Sequence, residues 1–434
     1  MKGLVALIAI AGCDYSPKPG TLTELPDAPP DTPPGPCETL GDTCGNATTI
    51  FSCTTLDVPP TQIDCPWGCI DDPVHCGTLQ PSGGGATSGD LDATSLGELG
   101  EVTLANGATI NGDGAITNAS SANFDHALRG PNQSIAVFRF KKLTIEGDVK
   151  LLGSKAIVLV SDEPISIGGV IDALGPCGVD NSAALAGPGG FAGGTTAGAA
   201  GLGPGGGGGT GSTVGGGGGA NGGKGGKGGN AGATTNGGIP FTTPDTIPVL
   251  FGGQGGGAGG GGGGFGRGGG GGGAIQLISN TAIIFLAGSG INAGGCGGDG
   301  DSGGGADGGG GGGAGGTILL EAPVISGPGA LAVNGGGGGS GGEGPGDTGE
   351  QGKLSRTASL GQPGGDGDGG NGASGADLGG SAGEDDSNDG GGGGGGIGRI
   401  RFHTRTGDVA VTGVMSPALD DDPTTATAGR ATVE

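Results

Sequence analysis

The segment Ala274-Ile275-Gln276-Leu277-Ile278 leads through Ile283-Ile284-Phe285 to Gly290-Ile291-Asn292-Ala293, and then into glycine. Its aliphatics alternate with other residues at period two, which is the spacing of strands and not of helices. The same order recurs. Ala156-Ile157-Val158-Leu159-Val160 leads through Ile165-Ser166-Ile167 to Val170-Ile171-Asp172-Ala173. Thr317-Ile318-Leu319-Leu320 leads through Val324-Ile325 to Leu331-Ala332-Val333-Asn334, and Arg399-Ile400-Arg401-Phe402 leads to Val409-Ala410-Val411-Thr412. Residues 134–152 form a looser copy, and Val102 to Ile116 another.

Units of about twenty residues with two or three short strands are what a parallel β-helix uses per turn. The expected fold is therefore all-β: a parallel β-helix (solenoid) with long glycine-rich loop insertions, preceded by a small disulfide-rich knob. Stacking sets Ile157, Ile275, Ile318 and Ile400 in one column, and Leu159, Leu277, Leu320 and Phe402 in a second. Gln276, Arg399, Arg401 and His403 are then expected to point outward. The alternative is an antiparallel β-sandwich with disordered glycine loops, because short alternating strands suit both.

Between the units lie glycine tracts at about 178–273, 294–316 and 335–398, and 123 of the 434 residues are Gly. Residues 221–230 (Asn-Gly-Gly-Lys-Gly-Gly-Lys-Gly-Gly-Asn) repeat every three positions. That is the repeat of an extended left-handed helix, in which glycine would let several chains lie side by side. The other reading is disorder, since glycine loses the most entropy on ordering. In either case the tracts are read as insertions outside the aliphatic column, so shortening 335–398 should leave the strands intact.

Ahead of the repeats the chain divides by composition. Met1-Lys2 and the apolar run Gly3 to Ala11 end at Gly12-Cys13, which has the layout of a secretory signal over 1–12 and is too short to span a membrane. An ordinary signal or a truncated start are the other readings. Residues 13–36 carry eight prolines from Pro17 to Pro36 and read as a semi-rigid tether. Cys37, Cys44, Cys53, Cys65, Cys69 and Cys76 lie in a segment (37–77) too small to fold on apolar burial alone, so disulfides are expected, with their pairing left open. A zinc knuckle of Cys65, Cys69, His75 and Cys76 is the rival. Cys177 and Cys296 each follow the last strand of a unit, and a disulfide between them would clamp the starts of two glycine tracts. Residues 78–91 read as a linker, 92–416 as the repeats with their insertions, and 417–434 as a tail.

Function is less legible. With 42 acidic against 17 basic residues the net charge is −25, which repels phosphate backbones and excludes nucleic acid as a partner. Asp385, Ser387 and Asp389 match the first half of a calcium loop, D-x-S-x-D-G, but Gly396 stands where its bidentate acid belongs. Apart from that zinc reading of the knob, calcium is the one cofactor the sequence raises; otherwise none is expected. Residues 297–301 and 364–368 approach the calcium nonapeptide with the aspartate one place early. Asp162, Glu163, Asp172 and Glu321 fall in different units, and His126 and His403 are the histidines with charged neighbours in the repeats. No catalytic set emerges, and Thr404-Arg405-Thr406 is too little of the TxT pattern to make the flat array of an ice-binding surface.

The lipobox-like Ile10-Ala11-Gly12-Cys13, the proline tether, the six-cysteine knob and the Ile/Leu repeats ending in glycine resemble glycine-rich surface lipoproteins of Gram-negative bacteria. That resemblance implies lipid on Cys13, anchorage in the cell envelope at the outer membrane or surface, and a non-enzymatic structural or adhesive role. Partners would be the membrane, cell-surface glycans or other envelope components. Asp14 resembles the inner-membrane retention signal of enterobacterial lipoproteins, which makes the inner membrane the other destination. A β-helix enzyme acting on polysaccharide and a calcium-dependent binding module are the alternatives.

Overall fold

The computed structural model describes residues 35–177, 185–211, 213–229, 235–240, 247–261, 263–303, 305–364, 367–386 and 389–434. Cys13, Asp14, Ser387 and the tether before residue 35 lie outside them. The described chain is almost entirely strand and extended segment, with one five-residue α-helix at Ala93–Gly97.

Three ladders of parallel strands organise the repeats. One contains Ile135–Phe140, Ala156–Ser161, Ala274–Ser279, Thr317–Glu321, Arg399–Thr404 and Ala426–Arg430. The expected register is the observed one: Ile157 faces Ile275, which faces Ile318, which faces Ile400, and Leu159, Leu277, Leu320 and Phe402 follow suit. The other two ladders share the long strand Glu101–Asn111. Its first half pairs with Lys142–Ile145 and its second half with Val149–Leu152. Each later repeat adds one strand to both. The antiparallel sandwich is thereby set aside for the repeats; among the strands of the ladders only Ala115–Ala119 and Asp125–Arg129, which cover the first repeat, pair antiparallel. Side chains from all three ladders, among them Leu104, Phe138, Ile145, Leu159, Ile171, Phe285 and Leu320, form one buried apolar cluster.

The residues expected to face solvent do not all do so. They point away from that cluster, but Gln276 and Arg399 are buried and Arg401 and His403 are half-buried. The reason is a second apolar layer. Leu79, Ala86, Leu91 and Leu96 pack with Val137, Val158, Val160, Ile278 and Leu319 across the outer face of the ladder. Residues 78–91, read as a linker, are thus a strap laid on the sheet, and the presumed tail supplies its last strand, Ala426–Arg430. The strap and the C-terminus are also zipped together, with Thr78 and Glu434 exchanging backbone hydrogen bonds of 2.8 and 2.9 Å.

Of the two readings of the glycine tracts, their described residues follow the first, extended chains lying side by side; the correction is that these chains form a packed layer of their own and not separate loops. Segment 308–316 shows how they pack. The amides of 308, 311 and 314 donate to the carbonyls of 260, 257 and 254; those of 309, 312 and 315 to 390, 393 and 396; those of 310, 313 and 316 to 299, 296 and 293. All nine bonds are 2.7–3.0 Å. Successive residues therefore address three different neighbours, as three residues per turn requires. Three further segments donate back: Gly216 and Gly219, Gly266, Gly269 and Gly272, and Gly336 and Gly339, at 2.8–2.9 Å. One extended chain is surrounded by six others, drawn from all three insertions.

Such packing leaves almost no room for side chains. A Cβ on Gly311 would sit inside the van der Waals shell of the Gly217 carbonyl oxygen, and one on Gly312 inside that of Gly336. The methyls of Ala258 and Ala314 are buried among these chains, and larger side chains such as Gln254 and Cys296 are few. Ordering a glycine costs about 1–2 kcal/mol of backbone entropy, against a net gain near 1 kcal/mol per hydrogen bond. The bundle is therefore held partly by its attachment to the ladders. Asp172, Asn292 and Asn334 make that junction: Asp172 accepts from Leu174 N at 3.0 Å, Asn292 accepts from Gly294 N at 3.2 Å, and Asn334 donates to Lys353 O at 2.8 Å. Shortening 335–398 would remove two of the six neighbours of 308–316, so the expectation that the strands survive it is withdrawn.

Candidate functional site

Four disulfides are present. In the knob Cys37 bonds to Cys53, Cys44 to Cys69 and Cys65 to Cys76, which consumes the thiols that a zinc knuckle would need. Cys177 bonds to Cys296 as expected, 119 residues apart. In the chain-entropy account a closure of this length destabilises the unfolded state by roughly 4–5 kcal/mol. Disulfides at this density point to an extracellular or otherwise oxidising environment.

The most concentrated polar constellation lies under the strap. The register that aligns Leu320 with Phe402 also sets Glu321 beside His403. Glu321 is fully buried and accepts from Ser82 Oγ at 2.8 Å, from the Ser82 amide at 3.2 Å and from Gln276 Nε2. His403 Nδ1 lies 2.7 Å from the same Glu321 Oε1, and Arg401 Nε donates to His403 Nε2 at 2.8 Å. Serine, histidine and an acid invite comparison with a nucleophilic triad, but the geometry is wrong. Arg401 occupies Nε2, so the ring proton is assigned to Nδ1 and given to Glu321. Ser82 Oγ approaches that same Nδ1, at 3.3 Å, and gives its own proton to the carboxylate. No ring nitrogen remains to act as its base. The constellation clamps the strap to the ladder: it satisfies a buried carboxylate that would otherwise be costly. Glu321 and His403 were each visible in the sequence; Ser82 was not, because nothing local marks the strap as a partner of the sheet.

The other candidates are dispersed. His126 is half-buried and packs its ring on Phe138 with centroids 4.8 Å apart. Asp172 lies across from Lys150 in an open apolar groove, and burial pushes its carboxyl up. Asp385 is exposed and bridged to Gly390, whereas Asp389 is buried, so these two members of the calcium-loop reading face different surroundings. Asp299 is near Thr348 Oγ1, and Asp368 accepts from Gly364 N at 2.6 Å, a role in turn geometry. Among the described residues no three His, Cys, Asp or Glu side chains are placed to hold a metal ion.

Folding does gather acids that are distant in sequence. Asp301, Asp307 and Asp389 are buried at one end of the glycine bundle. Burial pushes the Asp301 carboxyl up to about 6, against the Gly303 amide, and the charges of Asp307 and Asp389 add to the rise. Because the folded state holds this proton above the unfolded value of 3.8, its contribution to stability is complete below pH 4 and is lost as pH rises through 6. Unfolding measured across that interval should therefore show stability declining with pH. Asp301→Asn should flatten the decline; an unchanged slope would contradict the assignment.

Compared with known proteins, the chain matches no protein-family model, no curated sequence and no solved structure.

Proposed function

We propose that this chain is a non-enzymatic, lipid-anchored protein of the bacterial cell envelope, with a structural or adhesive role at the surface. The observation that carries the reading is the six-neighbour glycine bundle packed against parallel ladders. Its hydrogen bonds and close contacts make a stiff body that presents backbone-rich surface, which suits a scaffold. Three features add support: the four disulfides, the knob joined to the repeats by Arg405 Nη1 donating to Pro66 O at 2.9 Å, and a Ser82–His403–Glu321 cluster arranged as a clamp. In this reading the three ladders are successive faces of one β-helix, because each repeat contributes to them in the same order. Anchorage rests on Ala11-Gly12-Cys13. Cells fed a palmitate analogue should label the wild-type chain and not Cys13→Ser. Equal labelling of both would remove the lipid anchor from the proposal.

A further inference from the structure

We propose that the free tip of the cysteine knob is a second membrane contact, an apolar patch that seats on a lipid surface bearing ammonium headgroups. This rests on the lipid-anchored reading above and adds a protein surface to the lipid itself.

The knob's own pairing fixes where the tip lies. Gly41–Asn46 and Thr49–Cys53 form an antiparallel hairpin. The carbonyls of its turn, Ala47 and Thr48, accept from the amides of Cys69 and Cys65 at 3.0 and 2.8 Å. That end abuts the ladders, through Pro66 and through Trp67 in the second apolar layer. The length of the strands, about 17 Å, separates it from the opposite end, where Gly41 pairs with Cys53. There the Cys37 amide donates to Val58 O at 3.0 Å and the Asp57 amide donates to Cys37 O at 3.1 Å. The Cys37–Cys53 disulfide closes the group.

Held by these bonds, Leu40, Leu56 and Val58 are 63%, 49% and 47% exposed. Pro36 and Pro59 beside them are exposed as well. Single surface aliphatics are ordinary, but three on one cross-linked tip form an apolar patch of the kind that meets a partner or a membrane.

Two observations name the occupant. The described chain starts at Gly35, so the tether that leads back to Cys13 leaves from the tip and not from the ladder side. A lipid on Cys13 then keeps the tip close to a bilayer, at an effective concentration where weak apolar contact suffices. The other observation is charge. Glu38, Asp42 and Asp57 are exposed around the patch, and no Lys or Arg occurs between Lys18 and Arg129. An anionic headgroup would meet carboxylates with no counter-charge. An ammonium headgroup finds acceptors there while the aliphatics enter the acyl boundary.

The chain from residue 14 onward keeps every described residue and carries no lipid. It is sedimented with vesicles of phosphatidylethanolamine and phosphatidylcholine, and separately with vesicles of phosphatidylglycerol. Saturable binding is expected to the first and weaker binding to the second. Leu40→Ser combined with Leu56→Ser should cut binding to the first about tenfold or more, with circular dichroism unchanged, because the apolar area available for burial is lost. Leu286→Ser, at a site 51% exposed on the ladders, should bind as the wild type does. No binding to the first vesicles, binding to phosphatidylglycerol as tight or tighter, or equal loss in Leu286→Ser and the tip variant would overturn the proposal. So would self-association without vesicles that the tip variant abolishes, since a second copy would then cover the patch. Because the assay uses unlipidated chain, its failure leaves the palmitate labelling that tests the anchor untouched.

Discussion

Gly311→Val should cost the folded protein about 3 kcal/mol or more, as overpacking at a site that cannot yield. The atoms a side chain would meet there are backbone atoms of Gly216 and Gly217, which are themselves hydrogen-bonded to further chains. No rotamer of valine avoids them, and the neighbours cannot retreat without breaking bonds on their far sides. Gly344 is the control, because a Cβ there meets nothing within 4 Å. Gly344→Val should shift stability by no more than about 0.5 kcal/mol. Chemical denaturation of the two variants and the wild type measures the difference. Equal stability of Gly311→Val and Gly344→Val would mean that the tracts do not pack as described.

Leu320→Asp is expected to unfold the repeat region altogether. Leu320 is fully buried between Leu277 and Phe402 in the cluster that all three ladders share. An unpaired carboxylate at such a site costs several kcal/mol, a large part of what holds a domain together. The substitution also removes a leucine side chain's contacts on both neighbouring strands. Circular dichroism should lose its strand signal, and the knob's disulfides should still form, because the knob has its own sheets and cross-links. Retention of cooperative strand melting by Leu320→Asp would place Leu320 outside the core.

Both variants bear on how much of the protein is written locally. The Ile-x-Leu pairs of the repeats specify their register by themselves, because slipping a strand by one residue would turn its aliphatics out of the core. That is why the columns through Ile275 and Leu277 were legible, whereas the pairing of Glu321 with His403 that the same register imposes was not drawn from it. The Cys177–Cys296 bond was legible for the same reason, since both follow equivalent strands in the repeat.

What the sequence alone determined, then, is the strand class, the stacking order and one disulfide. The tertiary structure decided the rest. Glycine carries no side chain with which to name a partner, so nothing in 308–316 announces that its six neighbours come from three separate insertions. The burial of Gln276 and Arg399 depends on a strap whose composition reads as a linker. The meeting of Asp301, Asp307 and Asp389 depends on how distant segments are folded back upon one another. Periodicity encodes contacts between equivalent positions of a repeat; contacts between unlike segments arise only when the repeats have stacked and brought them within reach.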